Sequence, residues 1–243
     1  MQCWGLTDPG CVRSQNQDTY HIEQLDRSSV LCVVCDGMGG AKSGNVASSL
    51  AAEVFVQEIK RSYSSLMDRE KCDQMLRSAA KLANFTLYDQ AQQFEEFEGM
   101  GTTLVAALVR GKKTTILNVG DSRAYGINAE GIGQLTTDHS VVQMMVERGE
   151  LTPETAKNYP GKNLITRAVG TEPTVMCDII HTDVAKGDVL LLCSDGLSNM
   201  MDDQEILFEV VHGGELEFCC QRLLEIAKNR GAPDNVTSVL IKI

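Results

Sequence analysis

The chain has 243 residues, with 33 acidic side chains against 22 basic ones and a net charge of −11, so a nucleic-acid-binding face is not expected without a local basic cluster, and the sequence holds none. Hydrophobic residues make up 43% of it, enough for a substantial core, yet no stretch approaches the roughly 18 consecutive apolar residues of a membrane span, and the start, Met1-Gln2-Cys3-Trp4, has no leader pattern. Nine scattered cysteines, an odd number, suit a reducing compartment better than a disulfide framework. The expectation is a cytoplasmic protein with no membrane or nucleic-acid partner.

Residues 2–7 and 18–24 read as strands flanking a polar connection that carries Arg13. The run Val30-Leu31-Cys32-Val33-Val34-Cys35 reads as a buried strand. It ends in Asp36-Gly37-Met38-Gly39-Gly40 and is followed by helical spacing at Val46, Ala47, Leu50, Ala51, Val54, Phe55 and Ile59. An Asp-Gly pair after a strand is commonly a hairpin turn, but here a helix follows, over about 43–61. Cys32 and Cys35 form a C-x-x-C pair, but positions three apart in a strand face opposite ways, so they read as small core residues and not as one metal site. A second helix is expected over about 68–96, from the stripe Leu76, Ala80, Ala83, Leu87, Ala91 and Phe94.

From Gly101 the pattern turns to strands, at 102–109, 114–119 and 123–127, with links short enough to imply antiparallel pairing. Residues 141–170 interrupt them with a short helix over 141–148 and a helix start at Thr152-Pro153-Glu154, and read as a flap. Strands resume at 175–181 and 189–193, helices follow over about 202–211 and 215–230, and 236–243 closes the chain as a strand. No repeat, linker or low-complexity run divides the sequence, so a single α+β domain over 1–243 is expected.

Four aspartates fall at strand boundaries: Asp36, Asp121, Asp195 and Asp234. Any one of them alone is more often a turn residue than a ligand, and four at strand boundaries are more suggestive. Brought together by converging strand ends they would repel one another unless cations sat between them. Oxygen donors without clustered histidine or cysteine favour Mg²⁺ or Mn²⁺ over zinc or copper. Two such ions activate a water and neutralise a phosphoryl group, and Arg13 could hold phosphate oxygens. Other phosphate chemistries find no support, because no cysteine has an arginine six positions later and no Asp-x-Asp, G-x-x-x-x-G-K-[ST], G-x-G-x-x-G or G-x-S-x-G occurs.

The chain resembles the metal-dependent type 2C serine/threonine protein phosphatases, in their bacterial form. The resemblance runs nearly end to end. It is carried by Arg13-Ser14-Gln15-Asn16-Gln17-Asp18, Asp36-Gly37-Met38-Gly39-Gly40, Gly101-Thr102-Thr103 and Asn118-Val119-Gly120-Asp121-Ser122-Arg123, then by Thr137-Asp138-His139-Ser140, Leu164-Ile165-Thr166-Arg167-Ala168-Val169-Gly170, Ser194-Asp195-Gly196-Leu197 and Asp234-Asn235-Val236-Thr237. It implies a four-layer α-β-β-α sandwich of two antiparallel sheets between helical pairs, with two or three Mn²⁺ or Mg²⁺ ions at one end. Asp36 would bridge two ions, the Gly37 carbonyl would bind one of them, and Asp195 and Asp234 would hold the other. Asp18 would act through water, Asp121 with Asp195 would form a third site, and Arg13 would bind phosphate. The implied reaction is hydrolysis of phosphoserine and phosphothreonine on proteins by metal-bridged water, with Asp36, Asp195 and Asp234 as the catalytic set. The implied partners are phosphorylated proteins and a cognate serine/threonine kinase, and a monomer is expected.

Two departures stand out. Gln17 replaces the glutamate of many relatives, a change also common in the bacterial branch. Ala41 stands where relatives often carry a histidine assigned as general acid, which leaves proton delivery to metal-bound water or, as a weaker candidate, to His139. Ala41 is also the sole support for a competing reading, a phosphatase-like module that binds phosphoproteins without turning them over.

Overall fold

A computed structural model describes residues 1–39, 43–156 and 159–243. Gly40 and Ala41, which the sequence reading named, and residues 157–158 of the expected flap lie outside the described residues. Two antiparallel sheets stack face to face. One runs in the order β1 (Gln2–Asp8), β11 (Val236–Lys242), β10 (Val189–Cys193), β7 (Arg123–Asn128) and β8 (Gly131–Gln134). The other runs β2 (Asp18–Asp26), β3 (Ser29–Met38), β5 (Leu104–Arg110), β6 (Lys113–Val119) and β9 (Asp178–Asp183), with β4 (Gly101–Thr102) paired to the end of β3. Helices α1 (Gly44–Ser62) and α2 (Arg69–Gln93) cover the second sheet. Helices α6 (Asp203–His212) and α7 (Leu216–Asn229), with the short α5 (Asp195–Ser198), cover the first. The short helices α3 (Val141–Glu147) and α4 (Pro153–Ala156) lie in the excursion between β8 and β9. This is the expected α-β-β-α sandwich.

Strand β3 shows why the layers form. Leu31, Val33 and Cys35 join the core beneath α1 and α2, whereas Val30, Cys32 and Val34 join the core between the sheets. With both faces covered, the strand is apolar throughout rather than alternating. The two cysteines of the C-x-x-C pair thus lie in different cores, and all nine cysteines are free thiols. Among the described residues no helix is long and apolar enough to cross a membrane.

Several boundaries differ from the sequence reading. The strand expected to stop before Asp36 continues through Met38, because β4 supplies pairing partners: Thr102 faces Gly37 and Gly101 faces Met38. The same pairing splits the strand expected over 102–109 into β4 and β5. Helix α2 is capped by the Asp68 side chain, which accepts the Lys71 N–H, and it ends at Gln93, before the single 3₁₀ turn Glu95–Phe97. The strand expected from residue 175 begins at Asp178. Val175 and Cys177 are buried against the α1–α2 layer before any ladder forms.

Candidate active site

Strand register brings the acids to one end of the sandwich. Asp18, the first residue of β2, lies directly opposite Asp36 on β3. Strand β10 ends in Cys193, which pairs with Arg123 on one side and Ser238 on the other. Asp195 therefore leaves the same end as Asp121, just before β7, and Asp234, just before β11. The Asp36 backbone is fixed from both sides. Its N–H donates to Thr103 Oγ1 at 2.9 Å, and its carbonyl accepts the Thr103 N–H and the Thr102 hydroxyl, each at 2.9 Å. Thr103 Oγ1 also meets Ser122 Oγ at 2.7 Å, which ties Asp36 to the turn that carries Asp121. Gly37 donates its N–H to Gln17 O at 3.0 Å. It must be glycine here, because a Cβ would lie 2.0 Å from Gly44 O and 2.7 Å from Gln17 O.

Asp18 is the most enclosed of the acids. Its Oδ2 accepts two hydroxyls, from Ser194 at 2.7 Å and Thr237 at 2.6 Å, while its Oδ1 is buried with no protein partner. Burial raises the Asp18 carboxyl to about 7 despite those two hydrogen bonds, and the nearby Asp195 and Asp234 add to the rise. Asp36 keeps part of its surface open, yet loss of hydration, then the charges of Asp18, Asp195, Asp121 and Asp234, hold it well above the ordinary carboxyl range. Asp121 is pushed up to about 7 by burial and then by Asp195 and Asp138. Asp195 is raised by burial and Asp234, with relief from a hydrogen bond to Asp36 and from the positive charges of Arg123 and Lys162. Asp234 is one-third exposed, and its Oδ2 accepts Arg13 at 2.8 Å.

This donor set suits hard divalent cations. A buried carboxylate oxygen with nothing to bond, beside acids that raise one another's pKa, is an arrangement that positive charge relieves. Among the described residues no three acidic, histidine or cysteine side chains already form a closed cage. That is compatible with Mg²⁺ or Mn²⁺, since Mg²⁺ takes only one or two carboxylates and keeps several waters, and a backbone carbonyl such as that of Gly37 would complete a ligand set.

Other members of the site were not legible as such. Thr103, Ser194 and Thr237 hold the acids in place, although the sequence reading gave them no role. Arg123 makes a bidentate pair with Asp138, at 2.7 to 3.1 Å, behind Asp121. His139, weighed above as a proton donor, is buried with both ring nitrogens engaged. Nδ1 accepts the Gly120 N–H at 3.0 Å and Nε2 faces Asp178 Oδ2 at 3.1 Å. Burial lowers its pKa, and its bonds make it a brace between Gly120 and Asp178, with no ring nitrogen left open to a substrate.

Comparison with known proteins agrees with this fold. The family described as Protein phosphatase 2C matches residues 12–233. The serine/threonine phosphatase stp of Listeria monocytogenes is 34% identical over 236 residues, which is 97% of this chain and 93% of that protein. Protein phosphatase PhpP of Streptococcus pneumoniae is 33% identical over 241 residues, 98% of this chain and 96% of its own length. The crystal structure of serine/threonine phosphatase Stp1 from Staphylococcus aureus superposes with a TM-score of 0.93 at 39% identity, covering 100% of this chain and 94% of that one. Similarity of that extent takes in both sheets and the helical layers. The chain belongs to the protein phosphatase 2C family and is a serine/threonine protein phosphatase of the bacterial type.

Proposed function

We propose that this phosphatase hydrolyses phosphoserine and phosphothreonine on proteins by direct attack of water, using two or three Mn²⁺ or Mg²⁺ ions. Asp36, Asp195, Asp234 and the Gly37 carbonyl are the ligands in this reading, with Asp18 acting through water and Asp121 joining Asp195 at a third position. When bound, the ions supply an acidified water and offset the charge of the phosphoryl group. The observation that carries the reading is Asp18 Oδ1, buried without a partner and opposite Asp36.

The chain's own residues supply position. Thr102 and Thr103 fix Asp36 by its backbone, and Ser194 and Thr237 fix Asp18 by one oxygen, which leaves the other free. Arg13, half-exposed and against Asp234, orients the phosphate that enters beside the acids. Residues 1–243 form one catalytic domain in this reading, with 141–170 as its flap. The protein works as a cytoplasmic monomer, opposing a cognate serine/threonine kinase.

The test is Mn²⁺-dependent release of phosphate from a phosphothreonine peptide. Asp36→Asn and Asp195→Asn are each expected to lower kcat/KM at least ~10²-fold by loss of metal-assisted attack, with the far-UV circular dichroism unchanged. Full activity in folded variants would remove the metal assignment. Tight peptide binding without turnover at saturating Mn²⁺ in the unsubstituted protein would favour the binding-module reading instead.

A further inference from the structure

Asn235 belongs to one of the motifs read in the sequence, but nothing above gives it work. Its side chain is 3% exposed and every heavy polar atom of it is used. Nδ2 donates to Pro9 O and to Gln15 O, each at 3.0 Å, and Oδ1 accepts the Gln17 N–H at 2.8 Å. Pro9 and Gln15 are the two shoulders of the connection between β1 and β2, which has no helix or strand over 9–17 and carries Arg13 between them. One amide group therefore closes the loop that presents Arg13.

The same residue touches the acids. Its backbone N–H donates to Asp234 Oδ1 at 2.9 Å, while Asp234 Oδ2 accepts Arg13 at 2.8 Å. Gln17, which it holds by the N–H, accepts the Gly37 N–H through its own carbonyl, in the next peptide group, at 3.0 Å. The loop is also pressed close against this turn. Gly10 has φ +76° and a Cβ there would fall 2.2 Å from Asp234 O, and Cys11 N–H donates to Ala232 O at 2.9 Å.

We infer that Asn235 is a positioning residue for Arg13: it clamps the 9–17 loop onto the Asp234 turn and so sets the spacing between the guanidinium and the acids. The inference rests on the reading of Arg13 as the phosphate ligand. The chemistry selects asparagine, because two donors must face two carbonyls while an acceptor faces an N–H. Aspartate would turn an oxygen toward Pro9 O and Gln15 O, and glutamine is one methylene too long for the same three contacts. Pro9 and Gln15 are surface residues, so their carbonyls can turn to water when the clamp is removed, and the loop is expected to loosen while the sandwich stays folded.

The experiment is a double-mutant cycle of Arg13→Ala and Asn235→Ala, reading kcat and KM on a phosphothreonine peptide, inhibition by inorganic phosphate and Mn²⁺ affinity by calorimetry. Asn235→Ala is expected to raise KM and the phosphate inhibition constant about tenfold, as Arg13→Ala does, with kcat and Mn²⁺ affinity within about threefold. Adding it to Arg13→Ala should cost little more, because the two act through one contact. Full additivity, or a fall in kcat or Mn²⁺ affinity with KM unchanged, would overturn the proposal. The clamp is read separately by amide hydrogen exchange. Cys11 and Gln17 should exchange at least about tenfold faster in Asn235→Ala while Val239 and Leu240 stay protected, as expected of a local opening. Unchanged exchange at Cys11 and Gln17 removes the clamp. Faster exchange with KM unchanged in Arg13→Ala instead leaves the clamp standing and removes the phosphate role. If Asn235→Ala does not fold, Asn235→Ser is measured in the same way.

Discussion

The strand-end acids and the segment 141–170 are attached to the sandwich by different means. Asp36 lies on β3, after a run buried on both faces, its backbone is bonded to Thr102 and Thr103, and Asp18 is set opposite it by ladder register. Helices α3 and α4 of the flap, by contrast, have no buried residue. Residues 141–170 are tied to the sandwich by Thr166 N–H to His139 O at 2.7 Å, by the Arg167–Asp178 ion pair at 2.9 Å and by a two-way backbone pairing of Val169 with Thr102, at 2.8 and 3.0 Å. The position of the acids is a consequence of the core, whereas α3 and α4 bury nothing in it and only the end of their segment, at Val169, does. If 141–170 is the flap that meets the substrate, chemistry and recognition are expected to rest on separate parts of the protein.

The sharpest contrast is expected in activity. Asp36→Asn should cost at least ~10²-fold in kcat/KM, and no single substitution on the exposed flap surface should approach that. A flap variant with a comparable loss at unchanged KM would break the separation.

Stability offers the next contrast, through pH. Without metal, the folded chain keeps protons on Asp18 and Asp121 up to about 7, whereas unfolded aspartates release theirs near about 4. Between those values the folded state binds more protons than the unfolded one, so stability falls as pH rises, the reverse of the usual carboxylate behaviour. Mn²⁺ held by the proposed ligands would take the place of those protons. The rise in Tm on adding Mn²⁺ is therefore expected to be larger at pH 8 than at pH 6. Scans in Mn²⁺ and in chelator at both pH values check this, and an equal or smaller rise at pH 8 would mean that the acids do not share a metal.

How much of this was legible depended on the range of the signal. The apolar run before Asp36 and the stripe of α2 are local patterns, and both elements formed, with only their ends displaced. Strand β8 was missed because Gly131-Ile132-Gly133-Gln134 has neither alternation nor branched residues in quantity, and it exists by pairing with β7. Helix α5 was missed because one turn starting at Asp195 leaves no period to read. The acids could be picked out at strand boundaries, but that Asp18 stands opposite Asp36 is a matter of register, which no local pattern carries. Thr103, Ser194, Thr237 and Asn235 act through bonds to partners 19 to 220 or more positions away, and their types alone fit any loop or strand.

Arg13 lies between the two regions, on an exposed loop but against Asp234. Its loss is expected to raise KM about tenfold and to lower kcat by less, since a charged hydrogen bond present in both bound and transition states acts mainly on binding. Steady-state kinetics on the phosphothreonine peptide decide it. An equal fall in kcat with KM unchanged would move Arg13 into the group that acts on the transition state.

The smallest effect is expected at Leu164, which is 60% exposed on the flap while its backbone carries the bonds to Val141 and Gly161. Removing the side chain leaves those backbone bonds intact, and an exposed site of this kind changes stability by about 0.5 kcal/mol or less. Leu164→Ala should leave Tm and the turnover of a small aryl phosphate unchanged. A side chain of this kind, apolar and open to solvent, can still contact the flanking residues of a bound protein. KM for a phosphopeptide is then expected to rise by about two- to fourfold, the order of burying up to one methylene group. Measuring both substrates on one preparation separates the outcomes. A change confined to the peptide places recognition on the flap, and a parallel change in both would show that the flap shapes the acid site and that the two regions are not independent.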